Sequence, residues 1–509
     1  MHPHHPSDLL AQAVRQHQQG RLDAAQALYR RVLDADPRQF DALHLLGVIE
    51  RQRGRPAHAV DLIGQALAVD PCQARAHSNL GAALADLGRA DAALASYDEA
   101  LRLDPSYALA WDNRGNALRR LGRLQDALDS HERALHLQPG LADAWCHRAI
   151  VLHDLGRHAD AVASATQALA ARPAHADALV ALGNARQALD RFDEAVDAYD
   201  RALALAPRAE TWCARGAALK KAGDPAAALH SYERALALRP DYALAEHYRA
   251  NALRALGQDD AAVAAYRRAL ALGADAEAIG FALAALGAGA QPATAPAGYV
   301  RELFDQYAGR FDRHLVDVLG YRTPALLDGL VRAHLPALPP PGSPTFATAL
   351  DLGCGTGLCG PYLRPLVREL IGIDLSQRML DKAAEAGLYD ALVCADIAGW
   401  LAARDASCGL ADLAVAADVL VYIGDLAPLF AGVRRVLRPG GLFAFSCEAL
   451  DGTAGEHGYA IRPSNRFAHA PDYVTAAARA AGFTVVATEQ AALRQDGGRD
   501  VAGFLVLLA

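Results

Sequence analysis

The residues of this sequence best placed to do chemistry surround one glycine-rich turn. Residues 346–351 read as a short buried strand, and Gly353-Cys354-Gly355-Thr356-Gly357 follows at once. Glycines let a backbone turn sharply and let a ligand touch the main chain. A helix starting there presents N–H groups that have no partner within the helix. Dinucleotide-binding folds use a related loop, but their GxGxxG spacing is absent, because Leu358, Cys359 and Gly360 come next. Two more short strands, 370–374 and 392–396, each end in an acid, Asp374 and Asp396. A carboxylate at Asp374 can accept hydrogen bonds from both hydroxyls of a ribose. A fourth strand over 411–416 leads into Ala417-Asp418-Val419-Leu420-Val421-Tyr422. A fifth follows the turn Arg438-Pro439-Gly440-Gly441 and runs over 442–447.

This order of acids and glycines resembles class I methyltransferases that use S-adenosylmethionine, whose first motif is matched by the string Asp351-Leu352-Gly353-Cys354-Gly355-Thr356-Gly357. The resemblance implies a doubly wound, Rossmann-like α/β domain with seven strands. It also implies a cofactor set of Asp351, Gly353, Cys354, Gly355, Gly357, Asp374, Leu375, Met379, Asp396, Ile397 and Tyr307. Within that set Asp396 meets the adenine amino group and Met379 packs near the adenine. No metal is expected.

Methyl transfer from a sulfonium needs positioning more than covalent help. An oxygen or nitrogen acceptor that carries a proton needs a base as well. His314, His469, Tyr422 and Tyr459 are the candidates for that role, histidine because it titrates near neutral pH. Arg466 and Arg494 are suited to hold an anionic acceptor. The fourth strand is followed neither by Asn-Pro-Pro-Tyr nor by a loop of paired glutamates, so amide, base-nitrogen and arginine methylation are not supported. Open α/β sheets bind ligands past the carboxyl ends of their strands. The long connection over 448–471, with Tyr459, Arg462, Arg466 and His469, is therefore the expected acceptor wall. Phe304, Tyr307, Ala308 and Phe311 share one face of a helix, which predicts a lid over 299–314.

The elements ahead of this domain are periodic. Pro37, Pro71, Pro105, Pro139, Pro173 and Pro207 recur every 34 residues, and Gly20, Gly54, Gly88, Gly122 and Gly156 keep the same step. Asp190 takes the next glycine place. Small residues recur in each first helix (Gly47, Gly81, Gly115) and each second helix (Ala59, Ala93, Ala127), with tyrosines at Tyr29, Tyr97, Tyr199, Tyr232 and Tyr266. A fixed period of this size means stacked helix pairs. These positions resemble the tetratricopeptide repeat, about eight units over 6–285. Together with the flanks Tyr299-Val300-Arg301-Glu302-Leu303-Phe304 and Gly320-Tyr321-Arg322-Thr323-Pro324, they look like bacterial methyltransferases that carry such repeats at the N-terminus. Such an array recruits a protein or peptide, and the register puts Asn116, Arg119, Asn184, Lys220, Asn251 and Arg254 on its concave face.

The expected organisation is a solenoid over 6–285, a Gly, Ala and Pro rich linker over 286–298 and the methyltransferase domain over 299–509. The composition, 52% hydrophobic and 21% charged with a net charge of −8, excludes general binding to nucleic acid or acidic membranes. The most apolar stretch, 276–290, is too short to span a bilayer. Eight cysteines without paired CxxC spacing suit a reducing cytoplasm and argue against a cysteine zinc site or a disulfide framework. Three functions fit: a methyltransferase whose repeats recruit a protein or carrier bearing the acceptor, a small-molecule methyltransferase whose repeats serve localisation or self-association, and a silent scaffold. The intact Asp351, Gly353, Gly355, Asp374 and Asp396 count against the last.

Overall fold

The computed structural model describes residues 6–308, 320–335, 344–404, 410–450, 457–496 and 499–509. His314 lies outside the described residues, and so does the side chain of Tyr307. The chain divides into two compact units, Met1–Gln258 and Asp259–Ala509.

The first unit is a solenoid of paired helices, such as Phe40–Gln52 with Pro56–Val69 and Ala74–Asp86 with Ala90–Leu103. The turn inside each pair needs a left-handed residue. Gly54 (φ +72°) and its periodic equivalents supply it, and Asp190 adopts the same conformation at φ 57°. Aspartate is among the few residues with a side chain that tolerate this region, so the missing glycine does not break the repeat. Tyr29, Tyr97, Tyr199 and Tyr232 are buried between the helices.

The second unit is built on a sheet of seven strands. Five are parallel: β1 (Phe346–Leu352), β2 (Val367–Asp374), β3 (Ala391–Cys394), β4 (Ala411–Ala416) and β5 (Leu437–Glu448). Residues 459–461 (β6) and 467–469 (β7) pair as a separate two-stranded hairpin. β8 (Val485–Asp496) and β9 (Arg499–Leu508) complete the main sheet in the order β3-β2-β1-β4-β5-β9-β8, antiparallel at the β5 edge. Alternate strand residues face two separate cores. Leu350, Ala414, Phe443 and Phe445 pack with Phe430 and Val433, while Ala349, Leu413, Val415 and Ala444 pack with Leu327, Leu330 and Leu363. This is the arrangement of a sheet covered by helices on both faces. The strand order reverses between β1 and β4, and that reversal opens a crevice at their carboxyl ends.

Two features differ from the sequence reading. The stretch over 448–471 is more than a loop, because β6 and β7 form inside it. The Gly, Ala and Pro rich stretch is tied down: Ala293 O accepts from Gly424 N and Asp425 N, both at 2.8 Å, and Ala295 N donates to Tyr422 O at 2.8 Å. The helix before it, Ala276–Ala285, packs into the second unit through Phe281, whose ring lies 5.2 Å from Tyr299 and 6.2 Å from Phe467. Helices Asp259–Ala271 and Ala276–Ala285 thus cluster with the sheet.

Candidate active site

At the end of β1 the chain turns through Gly353 (φ 73°), where a Cβ would stand 2.5 Å from a Val419 methyl. Only glycine fits there. The turn aims Gly355 N at Asp374 Oδ2, 2.9 Å away, and Ser376 N reaches Asp374 Oδ1 at 2.9 Å. Burial pushes the Asp374 carboxyl above the usual carboxylate range, and these N–H donors pull it partly back. Asp396 caps the helix Ile397–Ala402 by accepting from Gly399 N at 2.7 Å. The helix Ala297–Tyr307 packs against the helix Gln377–Glu385, and the N-cap residue of the latter, Ser376, donates through Oγ to Asp305 Oδ1 at 2.5 Å.

These elements enclose a cavity of about 510 Å³, within the range of small-molecule sites. Gly353, Cys354, Gly355, Asp374, Leu375, Asp396 and Ile397 line it, and so do Tyr422 and Arg466. Its described acids are Glu277, Asp374, Asp396, Asp418 and Asp425, against the single described cation Arg466. Asp418 holds a strained left-handed backbone (φ 59°), and its buried Oδ1 has no hydrogen-bond partner among the described residues. Asp418 Oδ2 accepts from Arg494 at 2.7 Å. Arg494 also donates to the buried Glu448, whose carboxylate lies 3.7 Å from Arg466 and 3.7 Å from Arg462. Burial alone would lower the Arg466 pKa, yet Tyr422, Asp418 and Glu448 outweigh it and raise it. Burial pushes the Tyr422 phenol up to about 12, so it stays protonated at neutral pH.

Several expected site residues stand behind this wall. Asp351 does not line the cavity. Its Oδ2 accepts from Tyr389 OH at 2.6 Å, and burial raises its carboxyl to about 7. Met379 is fully buried, with its backbone N donating to the capping Ser376 Oγ. Gly357 turns away under Tyr389. His469 is buried and does not line the cavity; its Nε2 contacts Ile423 O at 2.8 Å and Gly424 O at 3.2 Å. Burial holds that imidazole down at about 4, so it is poorly suited to take a proton. Glu277, Ala293, Thr294 and Ala295 also line it, none of them expected from the sequence, while Val300 belongs to the expected lid and Tyr321 to the flank that carries the resemblance. The four unexpected residues come from segments far from the glycine turn, and no motif pointed toward them.

In the repeats, the proposed concave residues already have partners. Arg119 donates to Asp154 at 2.6 Å, Asn184 accepts from Tyr199 OH at 2.7 Å, and Asn116 lies 3.2 Å from His147. Lys220, Asn251 and Arg254 are likewise engaged.

Comparison with known proteins agrees with this division. Residues 350–445 match the family model of a methyltransferase domain. Residues 10–68, 83–122, 113–165, 146–210 and 209–242 match tetratricopeptide repeat models. The chain therefore combines tetratricopeptide repeats with a methyltransferase domain. Among curated relatives, malonyl-[acyl-carrier protein] O-methyltransferase of Salmonella typhimurium is 36% identical over 20% of this chain and 39% of its own length. Trans-aconitate 2-methyltransferase of Pseudomonas aeruginosa is 38% identical over 18% of this chain and 33% of its own length. The chain thus spans well under half the length of these two relatives. Among solved structures, MamA aligns with 32% of this chain and 94% of its own at 25% identity and a TM-score of 0.29. Among the described residues, no helix is long and apolar enough to cross a membrane.

Proposed function

We propose that this chain transfers a methyl group from S-adenosylmethionine to a carboxylate oxygen, and that the repeats receive the protein or carrier bearing that acceptor. The observation that carries the reading is the polarity of the cavity: five described acids on its walls and one described cation, Arg466. The acids, with the unpartnered Oδ1 of Asp418, suit a donor that is itself cationic. Bound there, S-adenosylmethionine supplies a methyl group activated by a sulfonium. Gly353 and Gly355 let it approach the backbone, Asp374 accepts its ribose hydroxyls, and Val300 and Phe304 keep water off the reacting centre.

Arg466 holds the acceptor's carboxylate by charge-assisted hydrogen bonds, and the protonated Tyr422 beside it is a second donor. A carboxylate oxygen carries no proton, so this chemistry needs no base. That agrees with the described lining, which holds no histidine. The two relatives cited are named for acids, one carried on a protein and one free. The presence of repeats favours the carried form.

The test incubates the full chain with methyl-labelled cofactor and a fractionated lysate. Mild alkali then releases methyl esters as methanol. Base-labile label in a protein or carrier fraction is the expected result. Base-stable label would reassign the acceptor to nitrogen or to an alcohol.

A further inference from the structure

Three repeats place the ring of a tyrosine against a glycine of the preceding helix: Tyr97 on Gly81, Tyr199 on Gly183 and Tyr232 on Gly216. Elsewhere Ile63 stands against Gly47, and in one repeat a histidine takes the place, His131 against Gly115. The same repeat carries Asp112 where Ser78, Cys146, Val180 and Cys213 stand in others. These two departures meet in the interior. Asp112 is 4% exposed and His131 is fully buried, with His131 Nδ1 2.9 Å from Asp112 Oδ1. The next repeat adds His147, whose Nδ1 lies 3.1 Å from Asp112 Oδ1 and 3.0 Å from Oδ2. One turn after Asp112, the amide of Asn116 comes within 3.2 Å of the same His147 nitrogen.

We propose that Asp112, His131 and His147 form a binding site for a divalent first-row transition-metal ion of the zinc class, with the Asn116 amide oxygen as a fourth donor. The ligand atoms of the two imidazoles and the carboxylate all lie within 4.8 Å of one another. Metal–ligand bonds of about 2.0–2.1 Å hold neighbouring donors about 3 Å apart, the spacing of each imidazole from the carboxylate here. Both Nδ1 atoms turn to the same carboxylate, so the three ligands converge on one side of Asp112. Two imidazoles with one carboxylate suit zinc, cobalt, nickel or copper, whereas calcium and magnesium prefer oxygen alone. The Asn116 amide offers its oxygen once turned over, an orientation that nitrogen and oxygen positions alone do not fix. His131 Nε2 is buried without a partner, so the polar engagement of that ring runs through Nδ1. The His147 side chain, 32% exposed, gives the ion a way in. Coordination would pin three successive helices, Ala108–Arg120, Leu124–Leu137 and Ala142–Asp154, across the junction of two repeats.

The experiment strips the full chain with a chelator and titrates zinc in competition with a chromophoric chelator. Cobalt is used in parallel for its visible absorption. One equivalent should bind, and zinc should raise the melting temperature of the array. His131→Tyr installs the ring that five other repeats carry at this place, so the variant should keep its helical circular dichroism. It should lose that equivalent together with the cobalt spectrum and the thermal shift. Asp112→Ser, which copies the residue that Ser78 supplies one repeat earlier, should do the same. The sequence also carries His2, His4 and His5, which remain in both variants, so uptake that persists unchanged in them places the ion outside this cluster and overturns the proposal. So does the absence of uptake by the parent chain.

Discussion

The guanidinium of Arg494, on β8, donates to Asp418 Oδ2 at 2.7 Å, joining the antiparallel edge of the sheet to the loop that leaves β4. The same side chain engages Glu448 at the end of β5, and all three groups are buried or nearly so. Removing one member of a buried ion network strands the others without water. Arg494→Leu should therefore destabilise the second unit by about 3–5 kcal/mol, read from its urea midpoint. It should also release Asp418 from its strained backbone and weaken cofactor binding. A midpoint within about 0.5 kcal/mol of the parent, the range of ordinary surface changes, would show that the network carries no stability.

Asp374→Ala should weaken S-adenosylmethionine binding by about 1–3 kcal/mol, the scale for losing charge-assisted hydrogen bonds. Calorimetry on parent and variant reads the difference. NAD should give no heat with either protein, and clear NAD binding by the parent would reject the cofactor assignment.

The helix Ala297–Tyr307, the described part of the expected lid, is tied by Ser376 Oγ, which donates to Asp305 Oδ1. Asp305→Ala should leave the melting temperature close to that of the parent and slow transfer at least tenfold, about 1.4 kcal/mol in the barrier. Unchanged single-turnover transfer would show that the helix Ala297–Tyr307 is a wall without a closing role.

Burial holds the His469 imidazole at about 4, against the partial help of the Ile423 and Gly424 carbonyls. The ordinary value is 6.5. Between these two values the unfolded chain takes up a proton that the native ring refuses. Stability is therefore full above pH 6.5 and falls as the pH drops toward 4. The loss across that window is about 2–4 kcal/mol. His469→Gln should flatten the slope of stability between pH 7.5 and 5, followed by hydrogen exchange of β5 and β9. Equal slopes in the two proteins would place the acid sensitivity elsewhere.

What the sequence disclosed divides along the range of the interactions. The strand ends Asp374 and Asp396 and the turn through Gly353 were legible because each rests on a few consecutive residues with one steric solution. The solenoid was legible because its glycines and prolines repeat. The hairpin of β6 and β7 was not, since strands of three residues leave no periodicity to read. Asp351 was placed in the binding set from its motif. Its burial behind Tyr389 depends on packing that no local string encodes. His469 was chosen for its intrinsic titration, and desolvation by its neighbours removed that property. The cluster of Asp112, His131 and His147 draws on three helices, and cysteine spacing carries no information about it.

The cavity wall made by Ala293, Thr294 and Ala295 has a consequence for how such a chain can be cut and rejoined. A crossover or an engineered junction within 286–298 would breach the cavity wall, since Gly424 and Asp425 would lose the carbonyl they donate to. The transplantable cassette therefore begins no later than the helix Ala276–Ala285. A chimaera carrying foreign repeats keeps the wall of this cavity only when that helix and the segment after it travel with the sheet.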